Sequence, residues 1–141
     1  MTPAEVIAAA RSMVGTPFRH QSRIESGAVD CAGTLVAICA ALNQQVADQT
    51  GYARRPSGSL LESAIDAQPA LSRVMPPALA GDFVLMKFEQ DKAASHLGVV
   101  TGPTLIHAWA VAKKVCEHAF DAEWQRRVVR VYRFKEMTHG E

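Results

Sequence analysis

The sequence predicts an α+β domain in which helices come first and an antiparallel sheet follows. In the first half of the chain, apolar residues recur at helical spacing, clearly so over residues 3–14 and 31–42. From Gly81 onward, short runs that alternate in polarity or are apolar throughout replace that spacing. A length of 141 residues is that of one domain, so we expect residues 1–141 to fold as one unit, with a frayed polar tail over 136–141.

Composition and charge argue against several classes of function. The formal net charge of +1 gives no electrostatic basis for binding nucleic acid or an anionic membrane. No apolar run approaches the roughly 20 residues that span a bilayer, so we expect no membrane insertion. The start of the chain lacks a basic segment followed by an apolar one, so we expect no signal peptide and synthesis in the cytoplasm.

The three cysteines, at positions 31, 39 and 116, form no even or dense framework of the kind that disulfides build. Free thiols in a reducing compartment are therefore expected. The sequence contains no CxxC and no HExxH, and the spacing Cys116-x-His118 alone is a poor ligand pair. We therefore expect neither a metal ion nor another cofactor.

Start signals place the predicted helices. Thr2 as the cap, Pro3 in the first turn and Glu5 at the third position predict a helix that ends near Val14, before Gly15 and a proline. A second helix is predicted over 31–42 and a short third one over about 58–67, after a connector at 43–57.

The second helix carries a cysteine in its first turn. Asp30 is a good capping residue, and helical steps from Cys31 reach Leu35, Ile38 and Leu42, which form one apolar stripe. The helix N-terminus favours a thiolate, which would make Cys31 a nucleophile. A capped core helix with a buried cysteine is an equally good interpretation of this stretch alone.

The second half of the chain predicts the sheet. Strands are expected over 83–88, 96–101, 104–109, about 115–118 and 128–134, with a helical turn at 121–125. Residues 71–80, which contain Pro76 and Pro77, are expected to form a loop.

A hairpin centred on Gly102 and Pro103 brings two histidines together. In that register the paired positions sum to 205, so His96 and His107 are diagonal neighbours on one face, within about 7 Å between their Cβ atoms. Gly98 leaves room between the two imidazoles. A slip of one residue would place His107 on the other face and remove the contact.

A cysteine at a helix N-terminus and two imidazoles are the parts of a nucleophilic site. Cys31 would attack a carbonyl, His96 would accept and return the proton, and His107 would orient His96. The backbone N–H of Cys31 would help to hold the oxyanion. This order, with the cysteine helix before the histidine sheet, is papain-like. Each histidine taken alone is more often a locally bonded strand residue, and only the joint pattern favours catalysis.

Five short motifs in this order resemble the ordered blocks of the NlpC/P60 family of cell-wall cysteine peptidases: Gly15-Thr16-Pro17-Phe18, Asp30-Cys31-Ala32-Gly33, Gly81-Asp82, His96-Leu97-Gly98-Val99 and Ile106-His107-Ala108. The resemblance implies a papain-like α+β fold and hydrolysis of amide bonds in peptidoglycan stem peptides, usually between D-γ-glutamyl and a diamino acid. It also implies Cys31 as nucleophile, His96 as base and His107 as orienting residue.

Two positions depart from the family pattern. The family often has tyrosine where this chain has Phe18 and serine where it has Ala32, so recognition of the substrate amine is expected to differ. Phe18, His20, Asp30, Ala32 and Trp109 are the candidate substrate-binding residues. His118 and His139 are given no role.

The segment Phe18-Arg19-His20-Gln21 and the C-terminal part, with Asp121, Trp124, Arg126, Arg127 and Tyr132-Arg133-Phe134, are similar to the phage branch of the family. This similarity implies a tail-associated protein made in the host cytoplasm, with tail-tip or baseplate proteins as partners, acting at the bacterial cell wall. Two alternatives remain open: a thiol amidase or acyl transferase on another substrate, and a structural tail protein with little activity.

Overall fold

The computed structural model of the protein describes residues 1–47 and 60–138. Within them the elements follow in this order: α1 (Pro3–Arg11), a 3-10 turn (Ile24–Ser26), α2 (Cys31–Ala41), α3 (Leu60–Asp66), β1 (Leu71–Val74), β2 (Phe83–Met86), β3 (His96–Val100), β4 (Thr104–Trp109), β5 (Lys114–Ala119), α4 (Ala122–Gln125) and β6 (Val128–Phe134). None of the helices in these residues has the length and apolar character needed to cross a membrane.

The strands of the described residues form one antiparallel sheet in the order β1-β6-β2-β3-β4-β5. Strand β2 lies inside this sheet and is buried along its whole length. Both of its faces are covered: Phe83 and Leu85 pack in the main core, whereas Val84 and Met86 pack in a second cluster. The fold is thus the predicted α+β architecture, in which helices pack on an antiparallel sheet.

The main core lies between the helices and one face of the sheet. Val6 of α1 and Leu35 and Ile38 of α2 pack there with Leu97 and Val99 of β3. The second cluster lies on the other face, where Val100 and Leu105 pack with Trp124 of α4. Apolar residues therefore alternate between two cores along β3 and β4, and both strands are largely buried.

The predicted start of α1 is confirmed, but its predicted end is wrong. The Thr2 side chain accepts a hydrogen bond from the N–H of Glu5, and the Glu5 side chain accepts one from the N–H of Thr2, which completes a capping box. The helix ends at Arg11 rather than near Val14, because Ser12 caps it and bonds back to the Ala9 carbonyl.

The expectation of a loop throughout 71–80 is wrong at its start. Strand β1 pairs with β6, from Leu71 opposite Phe134 to Val74 opposite Val131. Its four residues have a buried end, two exposed positions and a half-buried end, so they show no alternating pattern. Pairing with a distant strand, rather than local sequence, forms this edge strand. Strand β2 is also shorter than the predicted 83–88, ending at Met86.

The connector and the tail are described in part. Residues 48–57 of the predicted connector, residues 58–59 at the predicted start of the third helix, and residues 139–141 lie outside the described residues. Within the tail for which fraying is predicted, the N–H of Thr138 donates to the Met1 carbonyl at 2.7 Å, and Met137 packs against the main core.

A buried ion pair fixes the start of β2 against β6. Asp82 is 0% exposed, and each of its carboxylate oxygens accepts a hydrogen bond of 2.8 Å from the Arg133 guanidinium. The N–H of Leu79 donates to the same carboxylate at 2.8 Å. This bidentate geometry satisfies the buried charge and holds the two strands in register.

Candidate active site

Asp30 organises the entry into α2. Its Oδ1 accepts a hydrogen bond of 2.8 Å from the N–H of Gly33, as the predicted cap requires. Its Oδ2 accepts one of 2.8 Å from the N–H of Gln21, and the Arg23 guanidinium lies 3.3 Å from Oδ1. The loop before the helix is therefore tied to the turn that carries Cys31.

Gly33 explains why that loop can lie so close. A Cβ added at Gly33 would come 2.5 Å from the carbonyl oxygen of Ser22, which is a backbone atom that cannot move aside. The third residue of α2 must therefore lack a side chain. The loop and the helix form one rigid support for the cysteine.

The Cys31 thiol is buried, and its surroundings raise its pKa. It is 9% exposed, and burial, with the charge of Asp30 as a second cause, raises its pKa to about 12. Backbone N–H groups of Leu97, Ala32 and Cys31 itself act in the opposite direction but are outweighed. The N–H groups at the start of α2 therefore favour the thiolate, as expected of a helix N-terminus, but burial and the Asp30 charge have the larger effect on the pKa of this thiol.

The β3–β4 hairpin has the predicted register. Val99 lies opposite Ile106 and Val100 opposite Leu105, so the paired positions sum to 205. A Cβ at Gly98 would lie 3.2 Å from the Cβ of His107 and 2.8 Å from Leu105 Cδ1. The absence of a side chain at Gly98 therefore leaves room beside His107 and Leu105, as predicted.

The two imidazoles meet as predicted. Nε2 of His96 and Nδ1 of His107 form a hydrogen bond, and the rings lie edge to face with centroids 4.7 Å apart. Both are buried. Burial lowers the pKa of His96 to about 4, and burial together with the neighbouring His96 and His118 lowers the pKa of His107. Both rings are therefore neutral near pH 7.

A third histidine, which sequence reasoning left without a role, extends this contact. Nε2 of His118 lies 2.8 Å from Nε2 of His107, and Nδ1 of His118 lies 2.9 Å from the Ala119 carbonyl oxygen. In the β4–β5 ladder, His107 lies opposite Cys116 and Leu105 opposite His118. His118 is thus a diagonal neighbour of His107, and the register argument used for the first hairpin reaches it once the centre of the β4–β5 connection is known.

Aromatic rings enclose the histidines. The Trp109 indole stacks on His107 at 5.4 Å with 24° between the ring planes, and Trp124 of α4 meets His107 edge to face at 5.1 Å. The guanidinium of Arg127 lies 4.5 Å from the centre of the Trp124 ring and 5.1 Å from that of Phe88. Trp124 was not predicted as a site residue, since the sequence does not indicate that α4 folds over this face.

A pocket of about 620 Å³ opens at this place. Six of the predicted site residues line it: Phe18, His20, Asp30, Cys31, His96 and Trp109. His107 is buried behind His96, to which it is hydrogen-bonded. Ala32 is half-buried in the first turn of α2 and does not contribute to the lining formed by the described residues.

Further residues that were not predicted also line the pocket: Leu61, Phe88, Gln90, Asp91, Ser95, Ala110, Val111, Glu123, Trp124 and Arg127. Many of them lie in loops between strands, where sequence gives little indication of which side chains converge. Carboxylates and one guanidinium are present, and the guanidinium of Arg127 donates to Glu123 at 3.0 Å.

One group of side chains could hold a metal ion. Ligand atoms of His107, Cys116 and His118 lie within 4.8 Å of one another, and these are atom types that zinc prefers. The hydrogen bond between His107 and His118 engages the two Nε2 atoms of this group with each other. A metal would have to break that bond.

The arrangement suits acyl chemistry. A thiol at a helix N-terminus and a neutral imidazole in the same pocket can attack a carbonyl carbon while the imidazole accepts the thiol proton.

Comparison with known proteins identifies the fold. No protein-family model and no curated protein matches the sequence. Solved structures do match. One is from Staphylococcus aureus, described as similar to lipoprotein of the NLP/P60 family, with a TM-score of 0.65 and 15% identity, covering 98% of this chain and 42% of that one.

Two others are described as peptidoglycan hydrolases. The NlpC/p60 domain of SagA gives a TM-score of 0.61 at 18% identity, covering 93% of this chain and 97% of that chain. RipB from Mycobacterium tuberculosis gives a TM-score of 0.62 at 18% identity, covering 97% of this chain and 65% of that chain. This chain therefore has the α+β fold of NlpC/P60 proteins, consistent with a papain-like arrangement of helices on an antiparallel sheet.

Proposed function

We propose that the protein is a cysteine peptidase that hydrolyses amide bonds in the stem peptides of peptidoglycan. The observation that carries the proposal is one pocket lined by Cys31, at the start of α2, and by His96, which is hydrogen-bonded to His107. The similarity in fold to structures described as peptidoglycan hydrolases supports the choice of substrate.

In this mechanism, Cys31 Sγ attacks the scissile carbonyl carbon and His96 takes the thiol proton. The resulting oxyanion lies near the N-terminus of α2, where backbone N–H groups and the helix dipole favour negative charge. His96 then gives its proton to the leaving amine. Water, with its proton taken by His96, attacks the thioester carbonyl and releases the acid and the thiol.

We infer that the bond cleaved joins D-γ-glutamyl to a diamino acid. A diamino acid presents ammonium and carboxylate groups, and the pocket offers a carboxylate at Asp91 and an ion pair of Glu123 with Arg127. Phe18 places an apolar ring in the wall where family members often have a tyrosine hydroxyl. Amine recognition in this protein would then depend on the carboxylates rather than on that hydroxyl.

We further propose that the protein belongs to a phage tail and acts at the bacterial cell wall. This part rests on the similarity of Phe18-Arg19-His20-Gln21 and of the C-terminal strand region to the phage branch of the family. Tail-tip or baseplate proteins would be its partners and would carry it to the wall after synthesis in the host cytoplasm.

Mass spectrometry of purified muropeptides after incubation with the protein tests the proposal. We expect products split between D-glutamyl and the diamino acid, and no products with Cys31→Ala. Cys116→Ala, which removes a thiol from a half-buried strand position, is the matched control and should cleave like the parent.

The other outcomes identify the alternatives. Release of a different product, still dependent on Cys31, would indicate a thiol amidase or acyl transferase. Absence of turnover by the folded parent would indicate a structural tail protein. Cleavage by Cys31→Ala at the parent rate would overturn the nucleophile assignment.

A further inference from the structure

We infer that His118 is a positioning residue of the site, and that the Ala119 carbonyl determines, through His118 and His107, which ring nitrogen of His96 is free to accept a proton. Three imidazoles and one carbonyl form a continuous chain of contacts. Nε2 of His96 is bonded to Nδ1 of His107, Nε2 of His107 lies 2.8 Å from Nε2 of His118, and Nδ1 of His118 lies 2.9 Å from the Ala119 oxygen.

The Ala119 carbonyl, at the end of this chain of contacts, sets the direction of every hydrogen bond in it. A carbonyl oxygen has no proton to give, so Nδ1 of His118 must donate to Ala119. A neutral imidazole carries one N–H, so Nε2 of His118 can only accept, and Nε2 of His107 must donate to it.

The same assignment of protons to ring nitrogens extends to His96, which lines the pocket. Since His107 carries its proton on Nε2, its Nδ1 accepts, and Nε2 of His96 donates to it. The second nitrogen of His96, Nδ1, is then left with a lone pair. His96 lines the pocket together with Cys31, so this bare nitrogen is the one that can take the thiol proton.

The residues around the three histidines keep these hydrogen bonds in the stated direction. His96 and His107 are buried, and burial disfavours a charged imidazolium in either ring. Trp109 and Trp124 lie 5.9 and 4.8 Å from the ring of His118, measured between centroids, and hold it against His107.

Without His118, nothing specifies the tautomer of His107. Its Nε2 would have no acceptor, and the neutral ring could carry its proton on either nitrogen. The form with Nδ1–H would donate to His96 and remove the bare Nδ1 from the pocket. The effect on rate rests on the proposed function, whereas the tautomer of His96 does not.

Nuclear magnetic resonance measures the tautomers directly. Long-range ¹H–¹⁵N correlation spectra of histidine rings distinguish a protonated nitrogen from a bare one. In the whole protein at a pH of about 8, above the ordinary pKa of histidine, we expect a proton on Nε2 and a bare Nδ1 in His96. We expect a mixture of tautomers in His118→Phe, which keeps a ring but has no acceptor.

Steady-state kinetics on muropeptides give the second readout. His118→Phe should lower kcat roughly 10- to 100-fold, less than the full 10²- to 10⁴-fold that general base catalysis contributes, with KM unchanged. His118→Gln, whose amide oxygen can accept from His107, should fall between Phe and the parent. Arg73→Met, which removes a side chain that is 46% exposed on the edge strand β1, is the control and should match the parent.

The outcomes separate the two proposals. A proton on Nδ1 of His96 in the parent, or unchanged tautomers and kcat in His118→Phe, would overturn the positioning role. If the parent hydrolyses no peptidoglycan, the proposed function fails while the spectra still decide the tautomer. If His118→Phe does not fold, the parent spectrum and His118→Gln decide.

Discussion

Nε2 of His96 and Nδ1 of His107 share a hydrogen bond, and both rings are buried. A histidine side chain exposed to water would become charged at mildly acid pH. Keeping the two imidazoles neutral costs free energy, and this cost lowers the stability of the fold rather than affecting the site. The pH dependence of folding follows from the burial of these rings, and the reactivity of the thiol follows from the burial of Cys31.

The free energy of unfolding should decrease as the pH falls below about 6.5, the ordinary pKa of histidine. The pKa of His96 is lowered to about 4, whereas in the unfolded chain it is about 6.5. The unfolded chain therefore binds more protons between these values, so the contribution is complete above pH 6.5 and is lost toward pH 4. His96 alone should account for roughly 3 kcal/mol, measured by urea unfolding at pH 7.5 and 4.5.

The variant His96→Asn serves as the control for that measurement, because an amide does not titrate. Its free energy of unfolding should change less over the same pH interval. Equal losses in parent and variant would show that other groups cause the dependence.

Alkylation of Cys31 should increase steadily into the alkaline range. Burial raises its pKa to about 12, so the thiolate is scarce at neutral pH and grows tenfold for each pH unit. Iodoacetamide labelling, followed by peptide mass spectrometry between pH 6 and 10, measures this. A rate that is already constant above pH 6 would instead indicate a preformed thiolate and imidazolium pair.

Gly98→Ala should damage both the hairpin and the site. The added Cβ would lie 2.8 Å from Leu105 Cδ1 and 3.2 Å from the Cβ of His107, so one of these buried residues must move. Overpacking of this kind costs about 1–3 kcal/mol. Chemical unfolding measures the loss, and the hydrolysis rate per folded molecule should fall because the added Cβ crowds the backbone end of the His107 side chain.

Gly102→Ala separates hairpin strain from site damage. Gly102 has φ +113° and nothing within 4 Å of an added Cβ, so alanine there strains the turn without touching a histidine. It should lose stability but keep the parent rate per folded molecule. A rate loss as large as that of Gly98→Ala would contradict the role given to Gly98.

Arg133→Met should destabilise the fold by about 3–5 kcal/mol, because it leaves the carboxylate of Asp82 buried without its cation. Arg73→Met is the matched control: Arg73 also bonds carboxylates of Asp66 and Glu62, but its side chain is 46% exposed. Its removal should cost about 1 kcal/mol or less. Guanidinium chloride titrations compare the two, and equal losses would refute the distinction by burial.

The parts of the fold that local chemistry specifies were predictable from the sequence. The Thr2 capping box, the Asp30 cap and the turn at Gly102 each depend on residues within a few positions of one another. Strand β1 was missed because Leu71–Val74 has no periodicity and exists through its pairing with β6. The burial that raises the pKa of Cys31 could not be predicted either, since it depends on distant segments.

The site residues divide in the same way, into those that local sequence predicts and those that distant segments bring into place. The contact between His96 and His107 follows from counting residues across one turn, whereas Trp124 reaches His107 only because α4 folds back over the sheet. His118 lay within reach of the same counting across β4 and β5, because Leu105 pairs with it. It was overlooked because the connection between those strands, residues 110–113, has no glycine or proline to mark its centre.

The packing of tryptophan rings against the histidines has a practical consequence. The chain contains two tryptophans, Trp109 and Trp124, and both rings lie within 6 Å of His107 and His118. Intrinsic fluorescence of this protein therefore originates beside its histidines, where a charged imidazole quenches an excited indole. The molecule carries its own optical reporter, and substrate entry or ring protonation can be followed in stopped flow without a dye.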